Sequence, residues 1–403
     1  MSTARPTAAT SPTSAWSSSP ATTTRSTPTR PPRTRTSFGM TAQPVGRFIY
    51  RLYRRLERLR PELHYLFAEI TRRCNLSCRH CGSDCSAASQ GRELSTDSWL
   101  KIIDYFKARF QPPPAVVITG GEPLLSPGLE TIAAHLGENG FTWGLVSNGF
   151  IYDPARWQAL LDRRLASATI SLDGDAAGHN GLRRHPKAYD HALKTLGFLA
   201  KAGLSQLDVV SCVYPGNLDT LDNLAETLHG LGVPAWRLFR IFPIGRAARD
   251  PALLLDAAGS WRLVDWIRDR RPRWLERGLD LQLCCEGYLP FAIDRQVRAQ
   301  PFFCRAGINI ASILCNGDIT GCSNNHRDFA QGNILRDDFL TVWRQRFQDF
   351  RRRPWLRGSD CQGNARQRRC PHWDDCQGSS IHLWTKSQAR PAFCYLDDQP
   401  GRA

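Results

Sequence analysis

No run of eighteen or more apolar residues occurs in the chain, whereas a bilayer-spanning helix needs about twenty. The N-terminus also has no continuous apolar stretch after its first charges, which excludes an ordinary secretory signal. A disulfide framework is therefore not expected, since clustered cysteines in a reducing compartment are more often metal ligands. Large apolar side chains are nearly absent from residues 1–45, which consist mostly of Ser, Thr, Pro, Ala and Arg. Such a composition cannot bury enough surface to offset chain entropy, so disorder is expected there. Methionine is scarce: Met40 is the only one after Met1. It stands just before foldable sequence begins, which favours a chain start there over an Arg-rich organellar leader. Acids are missing from the same end, where residues 1–60 hold eleven Arg and one acid, Glu57. Much of the net charge of +16 thus sits in a leader and one helix. With no recognised nucleic-acid motif, this charge does not point to nucleic acid as a substrate.

What is present supports two domains. The chain has 403 residues and 41% hydrophobic content, enough for a sizeable core. Residues 46–62 read as a basic amphipathic helix, with Phe48, Ile49, Leu52, Tyr53, Leu56 and Leu59 at helical spacing and arginines on the other face. Such a helix either lies on a membrane surface or packs on the domain that follows; packing is the expectation. Residues 63–278 then alternate short strand-like runs with amphipathic segments. The strands are expected at 65–71, 115–120, 142–147, 168–172, 207–214 and 236–242, with helices between them. This rhythm means an α/β fold with a parallel sheet. Six units are too few for a closed eight-fold barrel.

The chemistry begins where the first strand ends. Cys74, Cys78 and Cys81 leave it together, at gaps of three and two residues. Three thiolates can hold three irons of a cubane and leave the fourth open to a ligand. A ferredoxin run has two-residue gaps and a fourth Cys followed by Pro, but here Cys85 is followed by Ser86, so Cys85 reads as a bystander. Thr119-Gly120-Gly121-Glu122-Pro123 follows the second strand, where glycines permit close backbone approach and a carboxylate can pair with an ammonium. Ser147-Asn148-Gly149 and Ser171-Leu172-Asp173-Gly174 follow the third and fourth. In parallel α/β folds, ligands gather at these strand ends. Asn217 opens a helix and is explained by capping.

The thiol loop and the Gly-Gly-Glu-Pro string resemble those of the radical SAM enzymes. The resemblance implies a partial (β/α)6 TIM-like barrel, a 4Fe-4S cluster on Cys74, Cys78 and Cys81, and S-adenosylmethionine bound at its open iron. It assigns Gly120, Gly121 and Glu122 to the cofactor's amino group, Ser147, Asn148, Ser171 and Arg183 to its ribose and carboxylate, and His80 to its adenine. The catalytic group on the substrate side is unknown.

Nine of the fourteen cysteines lie beyond residue 278. Cys304, Gly317 and Cys322, then Cys370, Cys376 and Cys394, resemble the SPASM domain, a small cysteine-rich iron-sulfur extension expected over residues 279–397. Two family positions depart: 367 is Gln367 and 380 is Ser380. The resemblance implies one or two auxiliary 4Fe-4S clusters. Cys361, Cys370, Cys376 and Cys394 would hold one; Cys304, Cys322 and Cys285 would hold the other, with Cys284 or Cys315 in reserve. Zinc sites are the plain alternative. Strings such as Cys285-Glu286-Gly287 and His382-Leu383-Trp384 are similar to the enzymes of radical SAM and cysteine-rich lipoprotein cassettes.

The implied activity is reductive cleavage of S-adenosylmethionine to a 5′-deoxyadenosyl radical, which abstracts hydrogen from a peptide or protein substrate. The implied electron donor is a flavodoxin or ferredoxin, and the implied location is cytoplasmic. Dehydrogenation of a sugar or alcohol, or electron transfer without catalysis, are the rival readings.

Overall fold

The computed structural model describes residues 42–89, 91–204, 206–363 and 368–397. Of the disorder expected over residues 1–45, the part up to residue 41 lies outside the described residues, as do a chain start at Met40 and Gln367. Residues 42–45 are instead helical, the first turn of Ala42–Leu59.

One ten-stranded sheet organises the described chain. Seven parallel strands follow one another in sequence order: β1 (Tyr65–Thr71), β2 (Ala115–Gly120), β3 (Trp143–Ser147), β4 (Leu165–Ser171), β5 (Gln206–Val213), β6 (Ala235–Arg240) and β7 (Asp280–Leu283). Beyond β1 the sheet continues through β8 (Ile310–Ile313), parallel to it, and then antiparallel through β9 (Asp318–Thr320) and β10 (Gly332–Asn333). Because β8 occupies the outer side of β1, β1 does not pair with β7, and the parallel sheet stays open.

Right-handed crossovers between neighbouring parallel strands put the connecting helices on one face. Along β4, Ala168 and Ile170 are buried while Ser167, Thr169 and Ser171 are half-buried. On β6, Trp236 and Leu238 are buried while Arg237 and Phe239 are half-buried. The buried set joins leucines of the crossover helices, such as Leu196, Leu199, Leu224 and Leu228, in one core. The half-buried set faces the inside of the sheet.

Five crossover helices lie between the strands as expected, α2 (Thr96–Arg109), α3 (Leu129–Glu138), α4 (Pro154–Asp162), α6 (Ala188–Lys201) and α7 (Leu221–Gly230), with the short α5 (Ala176–Arg183) just before α6. Ser95 caps α2 by accepting from the Ser98 backbone, and Asp153 does the same for α4 from Arg156. The alternation runs one unit further than the sequence pattern suggests. The long helix α8 (Ala257–Glu276) leads into β7, but Pro272 and its many charges break the apolar repeat.

The helix α1 (Ala42–Leu59) forms where expected but sits the other way round. Its arginine side packs on the protein: Arg54 is buried and donates to the Asp375 carbonyl, Arg47 and Arg51 pair with the Asp375 carboxylate, and Arg58 donates to Gln377. Its apolar side is exposed.

Candidate functional site

The end of β2 is laid directly on the exit of β1. The Gly121 and Glu122 amides donate to the Thr71 and Arg73 carbonyls, both at 2.8 Å. A Cβ on Gly121 would strike the Arg73 and Arg72 carbonyls, so this approach requires glycine. A second clamp comes from beyond β6, where the Arg246 amide donates to the Cys81 carbonyl at 3.0 Å and Arg246 Nε to the Cys78 carbonyl at 2.7 Å. Gly245 there has φ 59° and lies against the backbone of Cys81 and Gly82.

Between these clamps Cys74, Cys78 and Cys81 gather with Leu76, Cys85 and Phe150 in one small buried cluster. An N–H group approaches each thiol: Asn148 Nδ2 at 3.7 Å from Cys74 Sγ, Arg183 Nη1 at 3.8 Å from Cys78 Sγ, and the Cys85 amide at 3.4 Å from Cys81 Sγ. Burial pushes the Cys74 thiol up to about 11 and raises that of Cys78. The Cys81 thiol is lowered, foremost by its hydrogen bond with Cys85. Thiols that burial keeps protonated exchange the proton for a metal when ligated, and N–H donors aimed at sulfur tune a cluster. The donor set fits a 4Fe-4S cluster with one iron open.

Glu122 is fully buried. One carboxylate oxygen accepts from Ser147 Oγ at 2.9 Å and the Leu124 amide at 3.3 Å, the other from the Asn148 amide at 2.8 Å. Three of about four lone-pair sites are thus taken, leaving one for a further donor. Burial raises its pKa to about 7, against those hydrogen bonds. Ser147 and Asn148 therefore join β2 to β3 as well as facing the thiol loop. Ser171, at the end of β4, is half-buried and has no hydroxyl partner among the described residues.

Arg183 closes the other side of the site. Its Nε lies 2.6 Å from Asp173 Oδ2, and both side chains are buried. Burial works against ionising either, yet the pairing raises Arg183 and holds Asp173 well below the usual carboxylate range. Asp173 Oδ1 also accepts from the Cys212 amide at 2.9 Å. His80 is pushed down to about 3 by burial and by Arg183, so it is neutral, and its Nδ1 is buried without a partner among the described residues. His179 Nε2 is likewise buried and unpartnered. Ligand atoms of His80, Asp173 and Cys212 lie within 4.8 Å of one another.

Asp173, Cys212 and Asn217 are site residues to which the sequence reading assigned no ligand role. The capping expected of Asn217 is not made: it precedes the short turn Leu218–Thr220, but its side chain forms no cap bond there. Its Nδ2 donates to the Asp173 and Cys212 carbonyls and its Oδ1 accepts from the Tyr214 amide, which joins the ends of β4 and β5. Its complete burial was the missing signal.

The C-terminal thiols fall into two groups. Cys284, Cys285, Cys304 and Cys322 lie in mutual electrostatic reach, with Cys284 and Cys285 Sγ 4.0 Å apart. Cys361, Cys370, Cys376 and Cys394 form the second. Cys315 belongs to neither: its neighbours are Glu69, Glu93 and Arg72, because β8 carries it beside β1. Its place in reserve is therefore withdrawn. At position 380, the Ser380 hydroxyl donates to the Cys285 carbonyl, and the adjacent Ser379 Oγ accepts from the Cys304 amide.

Arg54, Arg58 and Arg353 crowd toward Cys304 and Cys376. Each keeps a buried guanidinium nitrogen without a partner among the described residues: Arg54 Nε, Arg58 Nε and Arg353 Nη2. Buried cations short of acceptors beside grouped thiols fit anionic thiolate clusters.

The radical SAM superfamily model matches residues 68–229, and the SPASM iron-sulfur cluster-binding model matches residues 304–376. Mycofactocin maturase MftC of Mycolicibacterium smegmatis is 31% identical over 316 residues, which cover 78% of this chain and 76% of that protein. The AdoMet-dependent heme synthase of Nitratidesulfovibrio vulgaris is 26% identical over 319 residues, 74% of this chain and 84% of that protein. Among solved structures, anSMEcpe with bound AdoMet shares the fold at a TM-score of 0.64 and 12% identity, covering 83% of this chain and 93% of that one. Streptococcus suis SuiB bound to its precursor peptide SuiA does so at 0.59 and 15%, covering 80% and 74%. The chain belongs to the radical SAM superfamily, as an enzyme with a C-terminal SPASM domain that works with a 4Fe-4S cluster, S-adenosylmethionine and auxiliary iron-sulfur clusters.

Proposed function

We propose that this enzyme modifies a peptide or protein by hydrogen abstraction, with residues 63–278 as the barrel and 279–397 as the SPASM domain. When bound, the cluster and S-adenosylmethionine supply a 5′-deoxyadenosyl radical. In this reading Cys74, Cys78 and Cys81 hold that cluster. The Gly120-Gly121 backbone and Glu122 receive the cofactor's ammonium, Arg183 and Asn148 its carboxylate, Ser147 and Ser171 its ribose, and His80 its adenine. Cys361, Cys370, Cys376 and Cys394 hold one auxiliary cluster; Cys285, Cys304 and Cys322 hold the other, with Cys284 in reserve.

The inner face of the sheet supports a peptide. Thr169 and Asp208 are register partners, as are Ser171 and Val210, and Cys212 and Phe239. Most of this row is half-buried and mixed in polarity, in contrast to the sealed helix-covered face. Arg237 is fixed within it, its Nε 2.6 Å from Asp208 Oδ2, and Thr169 donates to the other Asp208 oxygen. Such a surface accepts backbone amides and assorted side chains while excluding bulk water. The maturase relative and the peptide-bound SuiB agree with this reading.

A second reading, chemistry on an iron porphyrin, is favoured by the heme synthase relatives. The two separate in one experiment. The anaerobically reconstituted chain is given dithionite, S-adenosylmethionine and either synthetic peptides translated from short reading frames flanking its gene or an iron porphyrin, and both products are weighed by mass spectrometry. A changed peptide mass is expected; an unchanged peptide with an altered porphyrin overturns the peptide reading. Such clusters need a reducing compartment, so the proposed location is cytoplasmic, with a flavodoxin or ferredoxin as donor. Among the described residues no helix is long and apolar enough to cross a membrane.

A further inference from the structure

The orientation of α1 leaves a contiguous apolar stripe without a partner among the described residues. Val45, Phe48, Ile49, Leu52, Leu56 and Leu59 are between 48% and 67% exposed. At 100° per residue all six fall within an arc of about 100° around the helix, and from Val45 to Leu59 they span about 21 Å. Scattered exposed leucines need no explanation, but a continuous stripe of this size marks an interaction surface.

The borders of the stripe say what covers it. Exposed Arg55 lies along one edge, and exposed Arg60, just past the helix end, along the other. No exposed residue from Val45 to Leu59 is acidic. The 41 residues that precede the helix add five Arg and no acid. The one acid of the helix, Glu57, faces inward with its carboxylate 3.3 Å from Arg305 Nη1. Arg47, Arg51, Arg54 and Arg58 are committed to the protein by Asp375 and Gln377, so the helix cannot roll its stripe inward without abandoning them. A second copy of this chain would set arginine borders against arginine borders with no acid to answer them. An anionic lipid surface answers both features at once, taking the stripe at the depth of the acyl boundary and the arginines at the headgroups.

We propose that α1 is a membrane-surface anchor, which seats the enzyme peripherally on anionic lipid through this stripe. The test is flotation of the full-length reconstituted protein with phosphatidylcholine vesicles, with and without phosphatidylglycerol. Wild type should float with the phosphatidylglycerol vesicles, less so as salt rises. The Phe48→Ser/Leu52→Ser/Leu56→Ser variant, altered only at exposed positions, should keep its iron content and bind about tenfold less or weaker. A variant beginning at Met40 should retain the stripe-dependent part of the binding. Equal flotation of the triple variant would overturn the proposal, since binding would then rest on charge alone. Failure of wild type to float would also overturn it, as would a wild-type dimer that the triple variant converts to a monomer without any change in flotation.

Discussion

At the scale of single residues, the site is a set of buried charges held in place before any ligand arrives. In the proposed role, Glu122 meets the cofactor's ammonium, and with its pKa near 7 it must lose a proton to do so. Below that pH the carboxyl is neutral and the attraction is lost; above it the attraction is complete. The affinity of the reconstituted, oxidised enzyme for S-adenosylmethionine should therefore fall from pH 8 to pH 6. Glu122→Gln should remove this dependence and weaken binding by about tenfold to about a hundredfold. Equilibrium binding at both pH values checks it, and a pH slope that survives in the Gln variant contradicts the role. Arg183→Ala leaves Asp173 buried beside no cation, which costs about 3–5 kcal/mol; urea unfolding of the apoprotein measures it. The cysteines and Glu122 were legible in the sequence because their spacing is local. Asp173, Cys212 and Asn217 were not, because they meet through the ends of β4 and β5, about forty residues apart, and only register brings them together.

At the scale of elements, two clamps shape the thiol loop, the end of β2 and the turn after β6. Gly245→Ala would force a Cβ into the backbone of Cys81 and Gly82 at a positive φ. The reconstituted variant should lose about four irons per chain, as read by iron analysis, with the sheet's circular dichroism unchanged. β1 and β2 were readable to the residue, since short, nearly continuous apolar runs between turn signals leave little choice of ends. β7 was missed because four residues carry too little pattern, and α8 because Pro272 interrupts it. For α1 the periodicity defined two faces but not which of them touches the protein. That was decided by acceptors more than three hundred residues away, Asp375 and Gln377. Arg54→Ala removes a buried cation near Cys376, so the auxiliary cluster there should become harder to reduce. A potential titration followed by electron paramagnetic resonance should show its midpoint moving negative.

At the scale of the whole molecule, one sheet carries both chemistries. Its parallel strands present the thiol loop and the residues proposed to bind the cofactor at one end, while β8 to β10 extend the same sheet into the SPASM region. The grouping of eight C-terminal thiols into two fours was only partly visible from spacing, because Cys284 and Cys285 lie well upstream of the motif and are brought to Cys304 and Cys322 by the fold. The central claim is that this molecule cleaves S-adenosylmethionine at Cys74, Cys78 and Cys81. It is tested most directly by measuring 5′-deoxyadenosine after anaerobic incubation of the reconstituted protein with dithionite and S-adenosylmethionine, beside the Cys74→Ala variant. The wild type should yield 5′-deoxyadenosine and the variant, which keeps its auxiliary iron, only background. Equal yields from the two, or none from a fully iron-loaded wild type, would contradict it.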